Sequence, residues 1–104
     1  MSYHYIHALV RWIGSVFDWD EGNEEHIAEH GLAPEDVEDA VLDPRRIGVP
    51  AYSVAGEQRR GLSGATGAGR ILLVVVARRA DLIRVVTAYD ANEQQKRRYR
   101  RRGK

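Results

Sequence analysis

The chain has 104 residues, 43% hydrophobic and 30% charged, with a formal net charge of +1 and no cysteine. A chain of this size buries about two thirds of the surface its unfolded form exposes, so it supports one domain around one modest core. No apolar run approaches the roughly 18 to 20 residues of a membrane span, and the missing cysteines exclude disulfides and thiolate metal sites.

Residues 3–17 mix aromatic and small residues, with Ile6, Leu9, Val10 and Ile13 at helix-like spacing. We expect residues 1–16 to form an N-terminal extension. The segment lacks the basic start and small-residue cleavage site of a signal peptide, and a cytoplasmic location follows from that expectation. Phe17 and Trp19 flank Asp18 as in a short half-buried strand, and Asp20 is placed to cap a helix over residues 21–30. Glu21, Glu24 and Glu25 suit the positive end of that helix, and Gly31 suits the left-handed position that closes it. Pro34 fits the first position of a second helix, with Glu35 and Asp36 in its first turn and Val37, Ala40 and Val41 on one face; Asp43-Pro44 ends it. Residues 18–43 carry eleven acidic side chains and no Lys or Arg.

The next thirty residues read as weaker strands at 47–49, 52–54 and 59–63, then a glycine-rich loop at 64–69. The loop, GATGAG, superficially resembles a phosphate-binding glycine motif, but such a motif opens a helix and here a strand follows at once, so a hairpin connection is expected. ILLVVVA at 71–77 is the longest apolar run and rich in β-branched residues, as a doubly covered central strand requires. After a break at 78–81, LIRVVTA at 82–88 reads as its antiparallel neighbour. Asp90 and Glu93 are placed to cap a last helix that begins near Ala91 or Asn92 and runs to Arg102. Apart from Ala91 and Tyr99 that helix has almost no apolar face, so Tyr99 is its expected anchor. Residues 96–104 include seven Lys or Arg among nine, a tail that attracts phosphates or an acidic partner, or else a solvated helix end.

Several side chains invite a chemical reading. His26 and His30 lie four apart on one helix face, a spacing that can hold a divalent metal but is equally that of surface histidines beside an acidic patch. Nucleophilic catalysis has little support, because Ser53 and Ser63 have no neighbouring histidine in sequence. Arginine remains: Arg59, Arg60, Arg70 and Arg84 on strands or their edges, with Tyr89 and Tyr99 nearby. Phosphate transfer is catalysed by cations placed around the phosphate and a hydroxyl beside the attacking oxygen. By strict alternation Arg84 shares a face with Leu82, Val86 and Ala88, where it needs an anion, an open cleft, or a salt bridge to Asp81 or the acidic helices.

Two blocks carry a family resemblance: FDWDEGNEEHIAEHGLAPEDVEDAVLDP at 17–44 and GRILLVVVARRADLIRVVTAYDANEQQKRRY at 69–99. They resemble the tryptophan-aspartate, His-Gly and Pro-Glu-Glu helices and the closing hairpin and helix of BrnT-type toxins of the RelE/ParE superfamily. The resemblance implies an α+β domain over residues 17–104, with two N-terminal helices, a twisted, mostly antiparallel sheet of about four strands and a C-terminal helix. It implies a metal-independent endoribonuclease that activates the ribose 2′-hydroxyl and inhibits translation, without a cofactor. Its partners would be a ribbon-helix-helix antitoxin, an RNA substrate, and promoter DNA bound together with the antitoxin. On this reading Arg59, Arg60, Arg84 and Tyr89 are catalytic, and Arg70, Lys96, Arg97, Tyr99 and Arg100 bind RNA. The chain departs from the family where Ala65 and Tyr89 stand at usual arginine positions and Gln95 at a usual glutamate. A toxin-like regulator that binds nucleic acid or a partner without cleaving RNA is the alternative.

Overall fold

The computed structural model describes residues 16–102; the helix-like spacing noted before Val16 lies outside them. In chain order the elements are α1 (Glu21–Ala28), α2 (Pro34–Leu42), β1 (Ile47–Val54), β2 (Glu57–Ala65), β3 (Ile71–Arg79), β4 (Leu82–Asp90) and α3 (Glu93–Arg102). The strands form an antiparallel meander in the order β1-β2-β3-β4, and Phe17 adds one parallel rung beside Ile83 on the outer edge of β4. This is the expected α+β architecture.

Both early helices start where their caps dictate. The Asp20 carboxylate accepts the Asn23 N–H at 3.0 Å while the Asn23 side-chain oxygen accepts the Asp20 N–H at 2.8 Å, a reciprocal box that satisfies two otherwise orphaned donors. The same Asn23, only 5% exposed, donates its side-chain NH2 to the carbonyls of Asp18 at 3.0 Å and Val85 at 3.1 Å. One residue therefore caps α1 and pins it to the open edge of β4. Gly31, at φ 72°, ends the helical turn in the left-handed region. In α2, Pro34 takes the first turn and the Asp36 carboxylate accepts the Ala33 N–H at 2.9 Å.

The sheet is longer than the sequence patterns suggest, because the weak segments are parts of longer strands. Residues 47–49 and 52–54 are two halves of β1, joined across an irregularity between Val49 and Tyr52. Gly64 and Ala65 belong to β2, leaving a hairpin turn at 66–70 in which the Thr66 N–H donates to the Arg70 carbonyl at 2.8 Å. Arg78 and Arg79 belong to β3 rather than to the break before β4.

The alternation expected for β4 also needs correction. Val75 pairs with Thr87 but Val76 pairs with Val85, so Val86 is an extra residue on β4. A bulge of this kind reverses the facing of everything beyond it. Val85 and Ala88 consequently both enter the core, and Arg84 does not share a face with Ala88.

One face of the sheet carries α1 and α2. Ile27, Leu32, Val37, Ala40 and Val41 pack there against Phe17, Leu72, Val74, Val85 and Ala88. Close approach at Gly64 sets how deep α2 sits, since a Cβ there would lie 2.0 Å from the Ala40 carbonyl oxygen. Ile71, Leu73, Val75 and Ala77, on the opposite side of β3, are buried as well, which is why that strand reads as a continuous apolar run rather than an alternating one.

The last helix is capped differently from the expectation. Asn92 and Gln95 exchange side chain-to-backbone hydrogen bonds, both at 2.8 Å, while Asp90 is paired with Arg70. The helix begins at Glu93, so Asn92 stands at the capping position and Gln95 three residues on completes the box.

Candidate nucleic-acid interface and arginine cluster

The sheet register sorts the four candidate arginines. Arg59 pairs with Ala77, and Ala77 with Arg84, so the two arginines stand in one cross-strand row on either side of a small residue. Arg60 pairs with Val76 and points to the face that bears the helices, apart from the other two. Sequence adjacency of Arg59 and Arg60 thus means separation in space.

Arg59 and Arg84 line an open cleft of about 440 Å³ together with Arg79, Glu57 and His26. Each cation there has an anion. Arg84 Nη1 lies 2.9 Å from Asp20 Oδ2 and 3.5 Å from Asp18 Oδ2, Arg59 Nε lies 3.1 Å from Glu57 Oε1, and Arg79 reaches Asp18 at 3.5 Å. The hydrogen bond from Arg84, with the Asn23 amide behind it, holds the Asp20 carboxyl below its ordinary range, and the same pairing raises Arg84. Arg84 therefore ties β4 to the cap of α1, the acidic-helix partner that the sequence left as one of its options.

Next along β4, His26 Nε2 meets Thr87 Oγ1 at 2.9 Å. The His26 and His30 rings lie edge to face with centroids 5.8 Å apart, and the His30 ring is 5.9 Å from that of Tyr89. Among the described residues no group of three or more His, Asp or Glu gathers as metal ligands. Tyr89, 37% exposed, offers a flat ring face beside that imidazole.

Arg70 is a clamp. Its guanidinium meets both Asp90 oxygens at 2.6 and 3.1 Å and donates to the carbonyls of His30 at 2.9 Å and Gly31 at 3.1 Å. Asp90 is accordingly held below the usual carboxylate range and Arg70 is raised. The clamp fixes the C-terminal end of α1 to the end of β4, beside Tyr89. Its partners are two backbone carbonyls and a carboxylate twenty positions away, which no local pattern marks.

The basic helix is held by one tyrosine. Tyr99 donates its hydroxyl to Asp43 Oδ2, and the same carboxylate accepts the Ala65 N–H at 2.8 Å and the Arg45 N–H at 2.9 Å. Burial, followed by the hydrogen bond to Asp43, pushes the Tyr99 hydroxyl up to about 12. Asp43, read from sequence only as a helix terminator, is the hub joining α2, β2 and α3. Arg97, Arg98, Arg100 and Arg101 are exposed along α3, Arg98 and Arg101 beside Ile47 and Gly48. Lys96 lies 3.8 Å from Glu93. Gln95 completes the cap of this helix with Asn92.

The chain thus presents a cross-strand arginine pair, an exposed aromatic at the clamp, and a cationic helix fixed to the body with Arg97, Arg98, Arg100 and Arg101 exposed. The family model for "Ribonuclease toxin, BrnT, of type II toxin-antitoxin system" matches residues 19–95, and no curated protein matches the chain. That match covers about three quarters of the sequence, from the Trp19-Asp20 cap of α1 through the sheet to the Gln95 cap of α3, and the chain belongs to the BrnT family of type II toxin-antitoxin ribonuclease toxins.

Proposed function

We propose that this chain is a metal-independent endoribonuclease that inhibits translation in the cytoplasm, with residues 17–104 as its toxin domain and a ribbon-helix-helix antitoxin as its partner. With that antitoxin it would bind promoter DNA. The observation that carries the reading is the anchored basic helix: Arg97, Arg98, Arg100 and Arg101 are exposed and form none of the ion pairs among the described residues, while Tyr99 keeps the helix from fraying away. Such a row of guanidiniums tracks a phosphate backbone.

In the proposed reaction the ribose 2′-hydroxyl gives its proton to solvent as its oxygen attacks the adjacent phosphorus, the bond to the 5′-oxygen breaks and that oxygen takes a proton from solvent, and a 2′,3′-cyclic phosphate and a 5′-hydroxyl result. Arg59 and Arg84 supply fixed positive charge to the phosphorane, and Tyr89 stacks on a base beside His30. Arg59 is the more available of the two, because it has one carboxylate partner, Glu57, where Arg84 has two, Asp18 and Asp20. Arg60 serves a different surface, and Arg70 acts by holding the ground on which Tyr89 stands. Lys96, Arg97 and Arg100 meet RNA phosphates.

Purified protein incubated with single-stranded RNA and excess chelator tests this. Fragments ending in cyclic phosphate are expected. An Arg97→Ala, Arg100→Ala double variant should make the salt dependence of RNA binding shallower by about 1.4, at ~0.7 for each single-strand phosphate it no longer neutralises. Intact RNA sinks the ribonuclease reading. The neutralisation of Arg84 by Asp18 and Asp20, with Ala65 and Tyr89 in place of cations, favours a second reading as a non-cleaving binding protein. Salt-sensitive RNA binding without cleavage would select it.

A further inference from the structure

On the helix-bearing face, the end of α2 and the strands beneath it leave a groove that the arginine cleft does not share. Its floor is Val41, Leu62, Val76 and Ile83, and Leu42 projects at its lip, 54% exposed. Three exposed guanidiniums, Arg46, Arg60 and Arg78, stand around it. Arg46 donates to the Asp43 carbonyl at 3.1 Å and Arg78 to the Ala80 carbonyl at 3.4 Å, and none of the three is among the ion pairs of the described residues. In the arginine cleft, by contrast, Arg59, Arg79 and Arg84 all have carboxylates.

An apolar floor with a cationic rim is half of an interface, since exposed leucine gains by burial and each guanidinium gains by a carboxylate on the other side. Arginine suits this place because it stacks and pairs at interfaces with less desolvation cost than lysine. Nucleic acid would satisfy the rim but has no aliphatic surface for the floor. A segment of alternating character satisfies both.

We propose that this groove is the seat of an acidic amphipathic helix of the antitoxin, its aliphatic side chains on Leu42, Leu62, Val76 and Ile83 and its carboxylates on Arg46, Arg60 and Arg78. The proposal rests on the reading that a protein partner holds this chain. Because Arg59 and Arg84 lie on the opposite face of the sheet, a partner seated in the groove leaves them open.

A Leu42→Cys variant tests this, since the chain has no other cysteine. Thiol labelling at the groove lip is followed with a synthetic helix of about four turns carrying Leu on one face and Glu beside it. Fast labelling of the free protein is expected, slowed at least tenfold by the Glu peptide and unaffected by a Lys counterpart. Arg60→Glu with Arg78→Glu, both at exposed positions, should abolish the protection.

Slow labelling of the dilute free chain means that its own residues cover the groove, and overturns the proposal. Protection that grows with protein concentration means a second copy sits there, and does the same. So does protection by short RNA, or no protection by the Glu peptide. Failure of the partner reading shows separately, as no stable complex when the chain is co-expressed with a ribbon-helix-helix protein.

Discussion

Tyr99→Phe isolates the contact that holds the basic helix to the body. The change deletes one hydroxyl and keeps the ring. Asp43 retains the Ala65 and Arg45 N–H donors at 2.8 and 2.9 Å, so its carboxylate is not orphaned, and the loss belongs at the lower end of the range for a hydrogen bond to a charged group, about 1.5 kcal/mol. For a domain near 100 residues that corresponds to roughly 6 to 12 °C in Tm. The pH dependence adds a second signature. Tyr99 titrates at about 12 in the folded chain against an ordinary 10.0, so the folded state favours the protonated phenol. Its contribution is complete below pH 10 and disappears as pH rises through about 12. Urea unfolding of wild type and variant should therefore show a constant gap up to pH 10 that closes by about pH 12. Equal Tm values together with parallel alkaline profiles would refute the anchoring role of the Tyr99–Asp43 contact.

Three other changes probe the frame around the site. Gly64→Ala places a methyl 2.0 Å from the Ala40 carbonyl oxygen, and because backbone rather than a flexible side chain is in the way, it should cost about 3 kcal/mol in urea unfolding. Arg70→Ala should cost about 1 to 2 kcal/mol and speed amide hydrogen exchange at the end of α1, whose carbonyls lose their donor. Asp20→Asn weakens the pair with Arg84. Since the folded state depresses the Asp20 pKa below 3.8, the stability gap to wild type should be full above that pH and shrink as pH falls below it.

Local signals carried much of the fold. Asp20, Gly31 and Pro34 bounded the early helices because caps, left-handed turns and proline act within a few residues. The β-branched run at 71–77 marked the central strand because burial on both faces leaves no room for polar alternation. Where local rules compete, the reading moved: Asn92 rather than Asp90 caps α3, and one bulged residue, Val86, redirected half of β4. No local pattern distinguishes a bulge from continued alternation, since only the partner strand shows which pairing is skipped.

By itself the sequence determined the class of the protein and its materials: an α+β chain of the BrnT family, acidic in its first helices and strongly basic in its last, with arginines on its strands. Only the tertiary structure decided what those arginines do. Pairing register put Arg59 and Arg84 in one row and sent Arg60 to the other face, because neighbouring residues of a strand point apart. Long-range partners made Arg70 a clamp and Asp43 a hub, since a carboxylate or carbonyl distant in sequence becomes a partner only once the chain has folded around it.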